Sequence, residues 1–267
     1  AAWKGSDHDL AMQLADETSV LGDFANAKFA YAGTTSTFSR RDGKFFANTD
    51  GPDGKLADYE IKYAFGVRPL QQYLIELPGG RMQALGIAWD SRPKAQGGQR
   101  WFHLYPGQKI KAGDPLHWTG IQQNWNFQCA ECHSTNLRKN FDAKSGTYDS
   151  KWDEIDVSCE ACHGPGGNHA KRVKKGESRP SMIKFGRTAD TPVSVQNAMC
   201  LGCHEKTAVA NWHMGPHDVN SVSCAACHDS HKAKDAVLTR ATQPDVCYTC
   251  HVAERSQFQK VYAHPVR

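Results

Sequence analysis

All ten cysteines of this 267-residue chain fall in five copies of Cys-x-x-Cys-His: Cys129/Cys132/His133, Cys159/Cys162/His163, Cys200/Cys203/His204, Cys224/Cys227/His228 and Cys247/Cys250/His251. A chain with every thiol committed in this way must fold around whatever the motifs hold. Two thiols three positions apart lie on one side of a helical turn and can form thioethers to the two vinyl groups of one porphyrin. The next imidazole then reaches the iron, the pattern of c-type haem attachment. Random placement of 10 cysteines and 13 histidines over the chain would give about 0.02 such matches, so chance is excluded. Disulfides do not explain a histidine directly after each second cysteine. Zinc would use the pairs two at a time, leaving an odd half-site and five histidines without a role. The motifs therefore predict five covalent haems c, each held by its two cysteines and one proximal histidine.

The hydrophobic fraction of 39% is modest for a chain of this length, and the apolar porphyrin faces are expected to complete the core. The formal charge is +4. Ten propionates and five ferric centres bring the balance to about −1, which removes the case for nucleic-acid binding. The cation-rich stretch from Lys171 to Lys184, with Arg172, Lys174, Lys175 and Arg179, reads as a solvated loop pairing with propionates. No run of 18 apolar residues occurs, so no transmembrane segment is expected. The chain begins Ala1-Ala2-Trp3-Lys4 without an initiator methionine and reads as a mature or trimmed exported product. Covalent haem is attached after export, which places the protein in the periplasm or outside the cell.

The motifs are unevenly spread, and the expected fold is α+β with much irregular coil. Residues 1–125 carry no motif and read as a mainly β unit. Residues 126–267 form a pentahaem region, with a haem pair at 129–163 and a triplet at 200–251. In the first part, β-like runs at Thr35–Arg40, Lys44–Thr49, Tyr59–Val67, Gln72–Leu77 and Arg81–Trp89 are separated by Asp42-Gly43, by Asp50-Gly51-Pro52-Asp53-Gly54 and by Pro78-Gly79-Gly80, which reads as five or six antiparallel strands. Its aromatics, among them Phe45, Tyr73, Trp89 and Trp101, are assigned to core packing. In the second part, short helices carrying the motifs and loops such as Gly164–Gly167 and Thr188–Pro192 are expected to wrap the haems. First cysteines are 30, 41, 24 and 23 residues apart, too close for a domain between haems, so haem edges are expected within roughly 10 Å.

The opposite axial position decides whether a haem carries electrons or does chemistry. Eight histidines remain for it: His8, His103, His117, His169, His213, His217, His231 and His264. His231, three residues after His228, is too close to serve its own iron and suits a neighbour. His217 ends Trp212-His213-Met214-Gly215-Pro216-His217, His264 precedes a proline that fixes the backbone, and His169 follows a glycine-rich loop. His8 sits at a spacing from Trp3 like that of His217 from Trp212. These five are the candidate distal ligands. His103 and His117, at the aromatic-rich end of the β unit, read equally as hydrogen-bonded core histidines, and His213 has no pattern in its favour.

Two resemblances follow from these residues. Trp3-Lys4-Gly5-Ser6-Asp7-His8 through Phe65-Gly66-Val67, Gln99–His103, Asn124-Trp125-Asn126, Cys129–Asn136 and Cys159–Gly166 resemble the cytochrome domain of bacterial multihaem proteins often fused to tetratricopeptide repeats. Residues 200–267, with Trp212, His217, Cys224–His231 and His264-Pro265-Val266, resemble the repeats of periplasmic decahaem cytochromes of extracellular electron transfer. The second resemblance implies that His217, His231 and His264 are distal haem ligands. In both families a further motif adjoins the stretch that ends this chain. A distal ligand then either lacks its haem or serves a haem of another subunit; the terminal His8 and His264 are the candidates for such cross-subunit ligation, one route to self-association into a haem-continuous polymer.

The expected function is electron transfer along five mostly bis-histidine haems, with other multihaem cytochromes as redox partners and no catalytic residue. The alternative is an oxidoreductase of nitrogen or sulfur oxyanions, which requires one haem with an open axial position. Every motif ends in histidine, and the surplus of histidines suffices to cap every iron.

Overall fold

The computed structural model describes residues 2–177, 182–204, 209 and 212–258, so His264 lies outside the described residues. Two compact units divide the chain, one of Asp7–Ala161 and one of Ala1–Ser6 with Cys162–Arg267.

The first unit is built on an antiparallel sheet. Its strands are β1 (Met12–Leu14), β2 (Ala25–Tyr31), β3 (Thr34–Arg41), β4 (Lys44–Asp50), β5 (Leu56–Phe65), β6 (Leu70–Leu77), β7 (Arg81–Ala84), β8 (Ile87–Asp90) and β9 (Arg100–His103). The order is β2-β3-β4-β5-β6-β8-β9, with β1 added to β5 and β7 to β6. Turn chemistry sets the hairpins. Asp42 and Gly43 both take positive φ, the two-residue turn whose twist matches the strands it joins, and the register closes at Arg41 opposite Lys44. Pro78-Gly79-Gly80 likewise turns β6 into β7, with Leu77 opposite Arg81.

The nine strands exceed the five or six expected from the sequence. β2 is alanine-rich, a residue poor in strand propensity, and forms because its backbone pairs with β3. The expected run Arg81–Trp89 breaks at Leu85-Gly86 into β7 and β8, and there the Leu104 N–H on the Gly86 carbonyl at 3.0 Å extends the pairing of β8 with β9. The sheet then curls until its edges meet. Tyr31 of β2 stacks on His103 at 4.2 Å, and its hydroxyl donates to the Tyr105 carbonyl at 2.6 Å, leaving a nearly closed barrel.

Strand alternation gives this sheet two buried faces. One holds Phe24, Phe38, Phe45, Tyr73, Trp89 and Trp101, with Trp101 stacked on Phe38 at 3.6 Å; the aromatics of the β unit are core, as expected. The other joins Met12, Phe65, Leu74, Met82 and Ala84 to Trp125 and Ala130. It therefore seats helices α1 (Trp125–Gln128) and α2 (Ala130–His133). Asn124 caps α1 by accepting the Phe127 N–H at 3.0 Å. A small hairpin, β10 (Phe141–Asp142) with β11 (Thr147–Tyr148), precedes α3 (Cys159–His163), at which the division between units falls.

The second unit has short helices and coil: α4 (Gly167–Lys174), α5 (Val193–Leu201), α6 (Pro216–Val219), α7 (Gln243–Cys247) and α8 (Val252–Phe258), with 3-10 turns at Cys224–Ala226 and Ala236–Leu238. Among the described residues, no hydrophobic side chain after Ala130 is buried; the buried groups of this unit are Ser6, Gln196, Asn197 and Ser223. A unit of this size without an aliphatic core is the composition argument seen in three dimensions. Among the described residues no helix is long and apolar enough to cross a membrane.

Candidate haem-binding sites

The motifs share one local fold. In four of them the N–H groups of the second cysteine and of the histidine both turn back to the first cysteine's carbonyl, at 3.1–3.2 Å and 2.9–3.1 Å: Cys132/His133 on Cys129, Cys203/His204 on Cys200, Cys227/His228 on Cys224 and Cys250/His251 on Cys247. The other motif is the single helical turn of α3. One turn puts both thiols on the same side, as a bridge to one macrocycle requires. None of the ten cysteines is buried.

The first motif is held by the β unit. Ala130 is buried in the core beside Trp125, and the Ser134 hydroxyl bonds the Ala130 carbonyl at 2.6 Å. The His133 ring meets Phe65 edge-on at 5.6 Å, with Nδ1 3.3 Å from the Ala11 carbonyl. Burial lowers its pKa against that hydrogen bond, favouring the neutral imidazole that binds metal. The His8 carbonyl accepts from Ala11 at 3.3 Å and from Val157 at 3.2 Å. The His8 turn is therefore tied to Ala11, whose carbonyl meets His133, and to Val157 just before the second motif.

In the second unit, His163 Nδ1 donates to the Ile183 carbonyl at 2.7 Å, and His228 Nδ1 lies 2.7 Å from Asp235 Oδ2. A metal-binding histidine uses its remote nitrogen for just such an anchor, which leaves Nε2 for the metal. Two imidazole pairs are more telling. The rings of His163 and His231 lie 5.9 Å apart with planes at 16°, and those of His217 and His251 lie 6.0 Å apart with planes at 73°. With metal–nitrogen bonds of about 2 Å, two imidazoles on opposite sides of one metal hold their centroids about 6 Å apart.

His169 lies in the first turn of α4, which begins at Gly167, inside the stretch read from sequence as loop. Its Nδ1 is buried without a partner, as is Trp125 Nε1 beside the first motif. An orphaned buried polar atom costs about 1–3 kcal/mol and marks a missing neighbour. Among the described residues, no three or more His, Cys, Asp or Glu side chains gather as a metal cage. Anchored proximal nitrogens, paired imidazoles, accessible thiols and orphaned polar atoms all fit haem.

The first cysteines of the third and fourth motifs meet. Their mutual hydrogen bond pushes the Cys200 thiol up and draws Cys224 down to about 6. Asn197 of α5 accepts the Cys224 N–H at 2.9 Å, so the third motif's helix supports the start of the fourth. Sequence reasoning missed Asn197, as it missed Asp235 and the Ile183 carbonyl. Nothing in their spacing marks them.

The remaining histidines differ. His117 is buried, its Nδ1 accepts the Thr119 N–H at 3.3 Å and meets the Thr119 hydroxyl at 2.7 Å, and its Nε2 faces Asp50 at 3.2 Å. His103 Nδ1 accepts the Tyr105 N–H at 3.1 Å, and burial lowers its pKa. Exposed His213 has Nδ1 3.7 Å from Asp218. His204 is exposed at the end of the described stretch.

The motifs and the likenesses that follow support a multihaem c-type cytochrome with haem c as its cofactor. Residues 89–164 match the cytochrome c554 and c-prime family, and residues 217–256 match the doubled CXXCH motif. The multiheme cytochrome MtrA of Shewanella baltica (strain OS185) is 37% identical over 142 residues, covering 52% of this chain and 41% of that protein. The match thus spans less than half of that relative's length. The crystal structure of the outer cell wall cytochrome OcwA aligns with a TM-score of 0.44 at 19% identity, over 76% of this chain and 34% of that one.

Proposed function

We propose that the chain transfers electrons along five covalent haems c, in the periplasm or outside the cell, with other multihaem cytochromes as its redox partners. Cys129/Cys132, Cys159/Cys162, Cys200/Cys203, Cys224/Cys227 and Cys247/Cys250 hold the porphyrins, and the histidine that closes each motif is the proximal ligand. The observation that carries this reading is the pair of imidazole couples, His163 with His231 at 5.9 Å and His217 with His251 at 6.0 Å. Each couple joins a motif histidine to a histidine named from the sequence as distal. His8, His169 and His264 serve the remaining irons.

Bound haem supplies a one-electron Fe(III)/Fe(II) couple, and two axial imidazoles keep its potential low. The chain does the rest. Its histidines fill both axial positions and so deny small molecules a coordination site. The carbonyl of Ile183 and the carboxylate of Asp235 orient proximal rings and strengthen them as ligands. The short helices and loops of residues 126–267 wrap the porphyrins and exclude water. His8 and His264 are suited to ligate haems of a neighbouring copy, which would join copies into a haem-continuous polymer; negative-stain microscopy of native material checks this by showing filaments.

EPR with a carbon monoxide challenge tests the carrier reading. Five low-spin ferric signals and no carbon monoxide adduct on reduction are expected. A high-spin haem that binds carbon monoxide or nitrite would replace this reading with that of an oxidoreductase.

A further inference from the structure

A five-residue stretch with no haem ligand, Ile183-Lys184-Phe185-Gly186-Arg187, touches three motifs and reaches a fourth through Gln196. At its start the Ile183 carbonyl accepts from His163 Nδ1 at 2.7 Å, and Phe185 packs edge-on against the His163 ring at 5.3 Å. At its centre Gly186 N–H donates to Oε1 of buried Gln196 at 3.0 Å, and the Gln196 carbonyl faces Cys200 Sγ at 3.6 Å. At its end the Arg187 guanidinium forks. Nε and one terminal nitrogen donate to the Ala226 carbonyl, inside the fourth motif, at 3.3 and 3.1 Å. That terminal nitrogen also donates to Thr249 Oγ1, inside the fifth, at 2.6 Å.

We propose that Arg187 is a positioning residue that pins the fourth and fifth motifs to one another and raises the potentials of their haems. The inference rests on the reading of these motifs as haem sites. A planar fork can bridge two acceptors at fixed spacing where a flexible ammonium cannot, and its charge is permanent. Oxidation adds one positive charge at the iron, so a fixed cation nearby disfavours the ferric form and lifts the potential. Neither effect follows from Arg187 being a surface cation, since all three donor contacts end on residues between the cysteines of a motif.

The test uses the full, haem-loaded chain as wild type, R187Q and R187K, with haem located motif by motif by peptide mass and midpoints read by potentiometric titration followed by EPR. In R187Q two of the five midpoints are expected to fall, by on the order of tenfold in their one-electron equilibrium constants, about 59 mV, while the other three hold. R187K, which keeps the charge, returns both midpoints more than halfway. Loss of haem from the fourth and fifth motifs alone in R187Q would equally support the proposal. Five unchanged midpoints, a uniform shift of all five, or loss of haem from every motif in R187Q would overturn it. Absence of haem from these two motifs in the wild type would instead overturn the haem reading on which it rests.

Discussion

At the scale of single residues, histidines of one type divide by what their ring nitrogens meet. Proximal His163 and His228 spend Nδ1 on a protein acceptor. His117 spends both nitrogens, on Thr119 and Asp50, which is the use of a core residue. H117A is therefore expected to cost about 1–3 kcal/mol of stability, by stranding Asp50 and Thr119, and to leave the low-spin EPR spectrum unchanged. Thermal unfolding and EPR on the same sample check both halves. Burial, the largest single influence, raises the Asp50 pKa, yet the His117 hydrogen bond and charge together with the Thr49 hydroxyl and the local backbone hold the carboxyl below its ordinary value. A depressed carboxyl stabilises the fold above its unfolded pKa and loses that contribution as pH falls through the folded value. Part of the wild type's acid destabilisation below about pH 4 is thus expected to disappear in H117A, read as unfolding midpoint against pH. The couples of His163 with His231 and His217 with His251 were half legible in the sequence. The histidines could be named from position, but the partner of each needed the fold, because 68 residues of chain separate His163 from His231.

At the scale of elements, the hairpins at Asp42-Gly43 and Pro78-Gly79-Gly80 were readable because turn geometry is local: positive φ requires particular residues at particular positions. β2 was not readable, since an alanine-rich strand owes its existence to its neighbour. The seat of the first motif depends on a contact of the same non-local kind. Asn126 of α1 accepts the Met82 N–H at 2.7 Å and donates to the Gly80 carbonyl at 3.2 Å, tying the helix before Cys129 to the β6–β7 turn. Gly80 has φ near +69°, and a Cβ there would strike the Tyr148 backbone. N126A is expected to cost about 1–3 kcal/mol, because the buried Met82 N–H loses its acceptor. G80A is expected to cost more than the αL penalty of about 1–2 kcal/mol, since a backbone collision adds to it. Chemical denaturation of the holoprotein measures both.

At the scale of the whole molecule, the two units rest on different physics. Asp7–Ala161 has apolar faces of its own, whereas the described part of Cys162–Arg267 buries amides and a serine but no hydrophobic side chain. Chain produced without haem attachment is expected to keep slow amide exchange in β2–β9 and to lose it from α4 to α8. Hydrogen exchange followed by mass spectrometry reads this directly. Equal protection in both regions would show that the second unit folds without its cofactor.

By itself the sequence determined the kind of cofactor and supplied the proposed cysteine attachment points and proximal histidines, because Cys-x-x-Cys-His is a one-turn geometry complete within five residues. It also determined that a β unit precedes the motifs, since alternation and turn residues are local. Only the tertiary structure decided which imidazoles face one another, that Asp235, Asn197 and Ile183 support the sites, and that Arg187 spans two motifs. Those relations join residues distant in the chain, and nothing in their local sequence distinguishes a coordinating or clamping side chain from an ordinary surface one until the backbone brings its partner within hydrogen-bonding reach.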